Sequence, residues 1–205
     1  SGGYSFIMTG CPATNMLVST YMKDLMKKTK PSHAYEAIKR NHAPGGMMSY
    51  ESADDLKFYV KKGYCPGNAG KTLEWAFQDW GLSRMALRMG KKSDAALYEK
   101  RSRAWTPLFN KNIGLILPKK ENGEWLHTDP LNGQGWVEAN AWQATWSVSH
   151  DLPKLVELMG GGDAFCKKLN YAFEQARPTD FVHAYSGGYV SYANQPGCSN
   201  AHLFT

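Results

Sequence analysis

Trp136 to Ser149 read WVEANAWQATWSVS, a stretch with three tryptophans and one ionisable side chain, that of Glu138. No Gly or Pro interrupts it, and its apolar residues would lie on every side of a helix turning about 100° per residue. Helices that are apolar all round are typical of the interior of a larger body. The stretch therefore predicts a buried helix over residues 136–149.

Glu138 would be a costly residue inside such a helix. A buried carboxylate without a partner costs several kcal/mol or is protonated instead. A lone Glu among tryptophans therefore indicates a functional acid. Two alternatives stay open: an Arg from another helix could pair with Glu138, or Glu138 could be less buried than the pattern suggests.

The composition favours a folded, aromatic-rich domain or part of a larger one. The chain has 205 residues, of which 42% are hydrophobic and 13% aromatic, including 7 Trp and 11 Tyr. Such rings are suited to flat, polar ligands such as sugars. The net charge is +6, but short lysine pairs at 27–28, 61–62 and 91–92 carry part of it, which indicates solvated helix faces. We expect no nucleic-acid partner, and no apolar run has the length that a membrane span needs.

Four widely spaced cysteines, at positions 11, 65, 166 and 198, form neither a CxxC motif nor a zinc-site spacing with histidines. Two disulfides in a secreted protein or ordinary buried thiols are both compatible with this count. The sequence begins at Ser1 without Met and shows no signal peptide, so we expect a mature or excised fragment.

Helical periodicity dominates the rest of the chain. A small hairpin is predicted from residues 114–118 and 124–126 around the loop 119–123. We expect the loops 63–70, 125–135 and 185–199 to gather near Glu138, in an all-α fold with at most this one hairpin. Besides 136–149, the predicted helices cover residues 13–28, 33–39, 51–62, 71–89, 91–109, 152–158 and 163–177.

Several motifs follow one another along the chain: GKTLEWAFQDW at 70–80, Arg101-Ser102, EANAWQATW at 138–146, His150-Asp151, LVELMGG at 155–161 and Asn194-Gln195-Pro196. In this order they resemble the motifs of glycoside hydrolase family 92, the calcium-dependent, inverting exo-α-mannosidases. The resemblance covers nearly the whole chain and implies part of an (α/α)6 toroid. Residues 1–205 would be a partial catalytic domain, with the family's β-sandwich domain before it and the segment carrying the general base after it.

The resemblance implies a mannose-containing glycan as substrate and Glu138 as the general acid. It implies contacts with the sugar from Trp136, Trp142, Asn194 and Gln195, although Trp136 is equally compatible with a core position. Many members carry Glu where Gln195 stands, which leaves the glycosidic linkage open.

The resemblance also implies a Ca²⁺ ion, for which Asn140 and Gln143 offer neutral oxygen donors. Alternatively, these two amides satisfy neighbouring backbone groups. The other expected partner is the remainder of the catalytic domain, in a secreted or periplasmic protein. A carbohydrate-binding toroid without catalytic activity is the main alternative function, and a helical scaffold for protein partners is a third.

Overall fold

The computed structural model describes residues 9–50, 53–183 and 186–204. The described residues form two compact units. The first unit is formed by described residues within 1–65 and 71–105, and the second by described residues within 66–70 and 106–205.

The first unit consists of helices. In its described residues, one cluster of buried side chains includes Tyr35, Ile38 and Leu82, and another includes Leu56 and Trp75. The α-helices are α1 (Ala13–Met22), α2 (Pro31–Asn41), α3 (Ala53–Lys62), α4 (Ala69–Arg88, of which residues 71–88 belong to this unit) and α5 (Lys92–Arg101), with a 3-10 turn at Met47–Ser49.

Two predicted helices of this unit are shorter than expected. The helix predicted over 13–28 ends at Met22 because Asp24 adopts a left-handed conformation with φ 57°, which Asp tolerates better than most residues. The helix predicted over 91–109 ends at Arg101, and residues 102–105 form turns that lead into the 3-10 helix Thr106–Leu108. The predicted start of α3 at residues 51–52 lies outside the described residues.

A buried polar network crosses the first unit. The Asp79 carboxylate is fully buried and accepts hydrogen bonds from Arg101 Nε at 2.8 Å and from the Tyr59 hydroxyl at 3.0 Å. Its other oxygen lies 2.8 Å from His42 Nδ1, and His42 Nε2 lies 2.9 Å from Thr14 Oγ1. Burial, and then the charge of Asp79, hold the pKa of Tyr59 well above its usual value, so its hydroxyl remains a donor.

The second unit combines short helices with one small antiparallel sheet. The sheet pairs Phe109 with Ile116 and Asn110 with Leu115. Its elements are β1 (Phe109–Asn110), β2 (Leu115–Ile116), α6 (Ala141–Ala144), α7 (Leu152–Met159) and α8 (Gly162–Ala176), with 3-10 helices at Thr106–Leu108, Thr145–Ser147, Arg177–Thr179 and Gln195–Phe204.

The expected all-α class with a single small sheet is confirmed for the described ranges, but the strands differ from the predicted ones. Residues 109–110 pair with 115–116. The predicted partners 114–118 and 124–126 form no strand pair, but Leu126 N donates to the Pro118 carbonyl at 2.9 Å, beside an isolated antiparallel bridge between Lys119 and Trp125. None of the described helices has both the length and the apolar character that a membrane span requires.

The long buried helix predicted over 136–149 is wrong. Its first part is loop, with Glu138 in a left-handed conformation at φ 50° and Asn140 extended at φ −137°. Asn140 caps the four-residue helix α6, which gives way to a 3-10 turn at Thr145–Ser147. The three tryptophans of the stretch are nevertheless buried, since a loop can bury apolar rings as well as a helix can.

Candidate functional site

Glu138 lies on the surface of the second unit, so its predicted burial among Trp136, Trp142 and Trp146 is wrong. Its left-handed backbone conformation interrupts the helical path and leaves its side chain exposed. The side-chain amide of Asn194 lies 3.5 Å from Glu138 Oε2 and 3.4 Å from the Glu138 carbonyl oxygen. The structure thus brings together two of the residues that the resemblance assigned to the site.

Two residues that precede Glu138, Gly135 and Trp136, anchor its loop to the second unit. The carbonyl of Gly135 accepts a hydrogen bond from Ala69 N at 2.8 Å. Gly135 itself has φ 83°, and a Cβ there would meet Pro118 at 2.8 Å, so a side chain at this position would strain the turn. The Trp136 side chain is only 9% exposed, which favours the core role over sugar stacking.

Asn140 and Gln143 bind the backbone of residues 186–188. Asn140 is fully buried and donates from Nδ2 to the carbonyls of Ser186 at 2.7 Å and Gly188 at 2.8 Å. Its Oδ1 accepts from Gln143 N at 3.1 Å, which caps α6. Gln143 Nε2 donates to the carbonyl of Gly187. The two amides therefore join α6 to the loop that follows α8, which is the alternative role predicted for them.

These contacts do not fit a calcium site at Asn140 and Gln143. Calcium takes about six to eight oxygen ligands, commonly including carboxylates. The Asn140 oxygen already serves as a helix cap, and the described residues contain no group of three or more His, Cys, Asp or Glu side chains that could hold a metal ion. Calcium dependence stays a prediction, and we assign no chemical step to the ion.

Trp142 belongs to an aromatic cluster that the sequence did not predict. Its ring centroid lies 5.4 Å from that of Tyr171 and 5.2 Å from that of Tyr189. Lys168 Nζ lies 5.3 Å from the Trp142 ring centroid. Lys168 and Tyr171 are three residues apart in α8, a spacing that places them on one helix face, but nothing in the sequence connects that face to Tyr189. Trp142 itself is 8% exposed, whereas Tyr171 is 47% exposed.

Gln195 is exposed at the start of the last 3-10 helix, next to Asn194. The loop predicted over 185–199 does approach Glu138 through Asn194, although residue 185 lies outside the described part. The segment 66–70 also joins this region within the second unit, through the Ala69 contact described above.

The motif residues of the first unit have structural partners. Asp79 and Arg101 form part of the buried network, and Lys71 pairs with Asp55 at 2.8 Å. Glu74 accepts a hydrogen bond from Gln78 Nε2 at 2.5 Å. Burial raises the pKa of Glu74, and the bond from Gln78 offsets this in part. Glu74, which the sequence did not single out, is thus a motif carboxyl whose pKa is raised by burial.

The sequence model of the glycosyl hydrolase family 92 catalytic domain matches residues 1–205. A curated protein described as an uncharacterized secreted glycosidase, from Arthroderma benhamiae, is 24% identical over 206 residues, which cover 81% of this chain and 26% of that protein.

Two solved structures from Bacteroides thetaiotaomicron are also similar. A family 92 inverting mannosidase is 29% identical, with a TM-score of 0.75 over 83% of this chain and 24% of that one. A family 92 α-mannosidase is 24% identical, with a TM-score of 0.83 over 99% of this chain and 26% of that one, and shares the fold. It has also been solved in complex with mannoimidazole.

The chain spans about a quarter of the length of these relatives. The family model, in contrast, matches this chain from its first residue to its last. The chain therefore belongs to glycosyl hydrolase family 92.

Proposed function

We propose that this chain is the part of an inverting exo-α-mannosidase that supplies the general acid, Glu138, for removing terminal α-mannose from glycans. The observation that carries the proposal is the position of Glu138 in a chain of this family. Its carboxylate is exposed to solvent, where a sugar could reach it, and the Asn194 amide lies 3.5 Å away.

The chemistry assigned to Glu138 is protonation of the glycosidic oxygen as the bond to the leaving sugar breaks. Asn194 is placed to donate a hydrogen bond to Glu138 and orient it. In an inverting mechanism, a carboxylate base about 6.5–9.5 Å from the acid activates water on the opposite face of the sugar. We assign that base to the remainder of the catalytic domain. We propose that the same remainder completes an (α/α)6 toroid and supplies the site for any Ca²⁺ that the enzyme requires.

A secreted or periplasmic location is part of the same proposal. It is supported by the similarity to a protein described as a secreted glycosidase.

The test is Glu138→Gln in the full-length protein, assayed on an unactivated α-mannobiose and on a dinitrophenyl α-mannoside. Loss of a general acid lowers rates by about 100-fold or more, so kcat/KM for the mannobiose should fall by at least that factor. The dinitrophenyl substrate should be much less affected, because its leaving group departs without protonation. Glu121→Gln is the control, since Glu121 is an exposed carboxylate in the same unit.

A mannobiose rate within a few-fold of wild type would show that Glu138 is not the acid.

The aromatic cluster around Trp142 favours a second candidate, a carbohydrate-binding domain without catalytic activity. That candidate predicts mannose binding by calorimetry with no hydrolysis by the wild-type protein.

A further inference from the structure

A pocket of about 570 Å³ opens in the second unit between the β1–β2 turn and helix α8. No Asp or Glu is among the residues that line it, and Met159 and Trp142 contribute apolar surface. Its polar and charged side chains come from the turn and from α8. They are Lys111, Asn112, Lys167, Lys168 and Tyr171. The pocket therefore combines positive charge with aromatic surface.

Lys168 has a fixed position in this wall. Its Nζ donates a hydrogen bond to the Ile113 carbonyl at 2.5 Å and lies 5.3 Å from the centroid of the Trp142 ring. In the part of the chain that the structure describes, no carboxylate forms a salt bridge with Lys168. An ammonium group has three donors, so two remain for a ligand. Burial lowers the pKa of Lys168, because its charge has lost part of its hydration.

The surroundings of Lys168 favour a ligand with one negative charge. The cost of removing an ion from water rises with the square of its charge. A phosphate monoester, with a charge of about −1.5 to −2 at pH 7, would lose more hydration than one ammonium group compensates. Lys111 and Lys167 are exposed, so they attract an anion while they remain hydrated. A carboxylate is a monoanion, and its two oxygens can accept from the two remaining donors of Lys168.

Tyr171 supplies a surface for a sugar ring beside this charge. Its side chain is 47% exposed, and its ring lies 5.4 Å from that of Trp142 and 5.9 Å from that of Tyr189. These contacts fix the ring, and amphipathic rings held in this way suit flat, polar ligands. The exposed amide of Asn112 offers a donor and an acceptor for sugar hydroxyls on the same wall.

We propose that this pocket binds a saccharide that carries a carboxylate, a uronic acid unit, with the carboxylate at Lys168 and the sugar ring on Tyr171. The site uses residues other than Glu138 and Asn194, so the proposal goes beyond the proposed function and does not rest on it. It adds acidic glycans to the ligands of this chain.

The test is isothermal titration calorimetry of the full-length protein with methyl β-D-glucuronide. Methyl β-D-glucoside is the neutral sugar for comparison, and N-acetyl-aspartate amide carries a carboxylate on a peptide unit instead of a sugar ring. The glucuronide should bind at least about tenfold more tightly than either, a difference of about 1.4 kcal/mol. Glucose 6-phosphate should also bind more weakly than the glucuronide, because its additional charge must be desolvated. None of these compounds is an α-mannoside, so the measurement is independent of the Glu138→Gln assay.

Lys168→Met removes the charge and keeps most of the side-chain packing. It should weaken glucuronide binding about tenfold or more, because a charge-assisted hydrogen bond is lost. The matched control is Lys119→Met, since Lys119 Nζ also lies over a tryptophan ring of the second unit, 4.4 Å from the Trp125 centroid, but does not line the pocket. The control should leave the affinity within about twofold of wild type, because charges outside the pocket are screened by salt.

Tyr171→Ala should weaken glucuronide binding without changing that of N-acetyl-aspartate amide. Because the Tyr171 side chain is half-exposed, this variant still tests the proposal if Lys168→Met does not fold, and an unchanged glucuronide affinity would exclude the sugar surface. Three further results would overturn the proposal: glucuronide binding no tighter than that of the glucoside or of N-acetyl-aspartate amide, equal loss in Lys168→Met and Lys119→Met, or tighter binding of glucose 6-phosphate.

Discussion

Glu74 and Glu138 both lie in segments that resemble family motifs, but their surroundings differ. Glu74 is partly buried in α4 beside Gln78, and burial raises its pKa. Glu138 is exposed on a loop. From the sequence, Glu138 was predicted to be the desolvated carboxyl because tryptophans flank it along the chain. Proximity in sequence did not predict which faces the rings would cover.

Glu74→Gln should change the stability of the protein in a pH-dependent way. The pKa of Glu74 lies above its ordinary value of 4.5 in the folded state, so its contribution to stability is complete below that value and is lost as the pH rises through the folded-state pKa. Glutamine keeps an acceptor for Gln78 and carries no charge. Relative to wild type, the variant should therefore be more stable at about pH 7 than at about pH 4, as measured by urea unfolding.

The control for this measurement is Glu121→Gln, because Glu121 is exposed. A stability difference for Glu74→Gln that is the same at both pH values would contradict the assigned effect of burial.

Asp79→Asn should destabilise the first unit by about 3–5 kcal/mol, the usual cost of breaking a buried ion pair. The change removes the negative charge that Arg101 and His42 contact and leaves the Arg101 charge uncompensated. The measurement is the free energy of unfolding in urea. Asp54→Asn is the control, because the Asp54 side chain is 89% exposed and pairs with the exposed Lys57, so its loss should cost less than about 1 kcal/mol. A cost for Asp79→Asn no larger than that of the control would exclude a structural role for the network.

Among the elements, sequence periodicity located the long helices well and the short ones poorly. The helix predicted over 71–89 is α4 at Ala69–Arg88, and that predicted over 163–177 is α8 at Gly162–Ala176. The prediction of a helix over 136–149 was wrong because apolar residues on every side indicate burial. Burial alone does not distinguish a helix from a packed loop. Asn140 was the available cue, since Asn favours the N-cap over the helix interior.

The same limit applies to the candidate site. The resemblance implied that Glu138 acts as the acid and that Asn194 contacts the sugar, and their side chains lie 3.5 Å apart in the structure. The aromatic cluster and its lysines depend on contacts between residues as far apart as Trp142 and Tyr189. Short-range patterns in a sequence carry no information on such contacts.

Asn140 should be the most sensitive position of helix α6. Asn140→Ala removes the cap, worth about 1 kcal/mol, and removes the Asn140 donor from the carbonyls of Ser186 and Gly188. The Gly188 carbonyl then keeps only the longer contact from Gln143 Nε2, at 3.4 Å. Asn140→Ser keeps a capping oxygen but is too short to bridge both carbonyls. We expect both variants to increase hydrogen exchange in residues 186–190, and only Asn140→Ala to increase it in α6.

The control for this pair is Asn122→Ala in the exposed turn 119–123, where the Asn122 side chain bonds to the backbone N and the side chain of Glu124. Unchanged exchange in residues 186–190 after Asn140→Ala would show that the bridge contributes nothing to holding that loop.

At the scale of the whole molecule, the aromatic-rich composition predicted a folded chain and the helical periodicity predicted an all-α class. The described residues form two compact units made mainly of helices. The even number of cysteines left disulfides open, and the structure resolves this, because all four are free thiols. Cys11 and Cys65 are buried, and Cys166 and Cys198 are exposed.

Cysteine labelling should follow this division. A maleimide added to the native, full-length protein should modify Cys166 and Cys198 quickly, because their thiols reach solvent, and should reach Cys11 and Cys65 only after denaturation. Peptide mass spectrometry of the labelled protein identifies the modified sites. Labelling without reductant is the control, and a loss of reactive thiols under those conditions would contradict free cysteines.

The bridge between α6 and the loop after α8 has a consequence for how this region can diverge in evolution. Asn140 and Gln143 hold residues 186–188 through main-chain oxygens, which every amino acid supplies. Ser186 and Gly187 can therefore be replaced over generations without loss of the attachment. Gly188 cannot, since its φ is 68° and a Cβ there would collide with the His183 ring. Homologous enzymes should keep the two amides and this glycine while the rest of the loop drifts to suit different sugars.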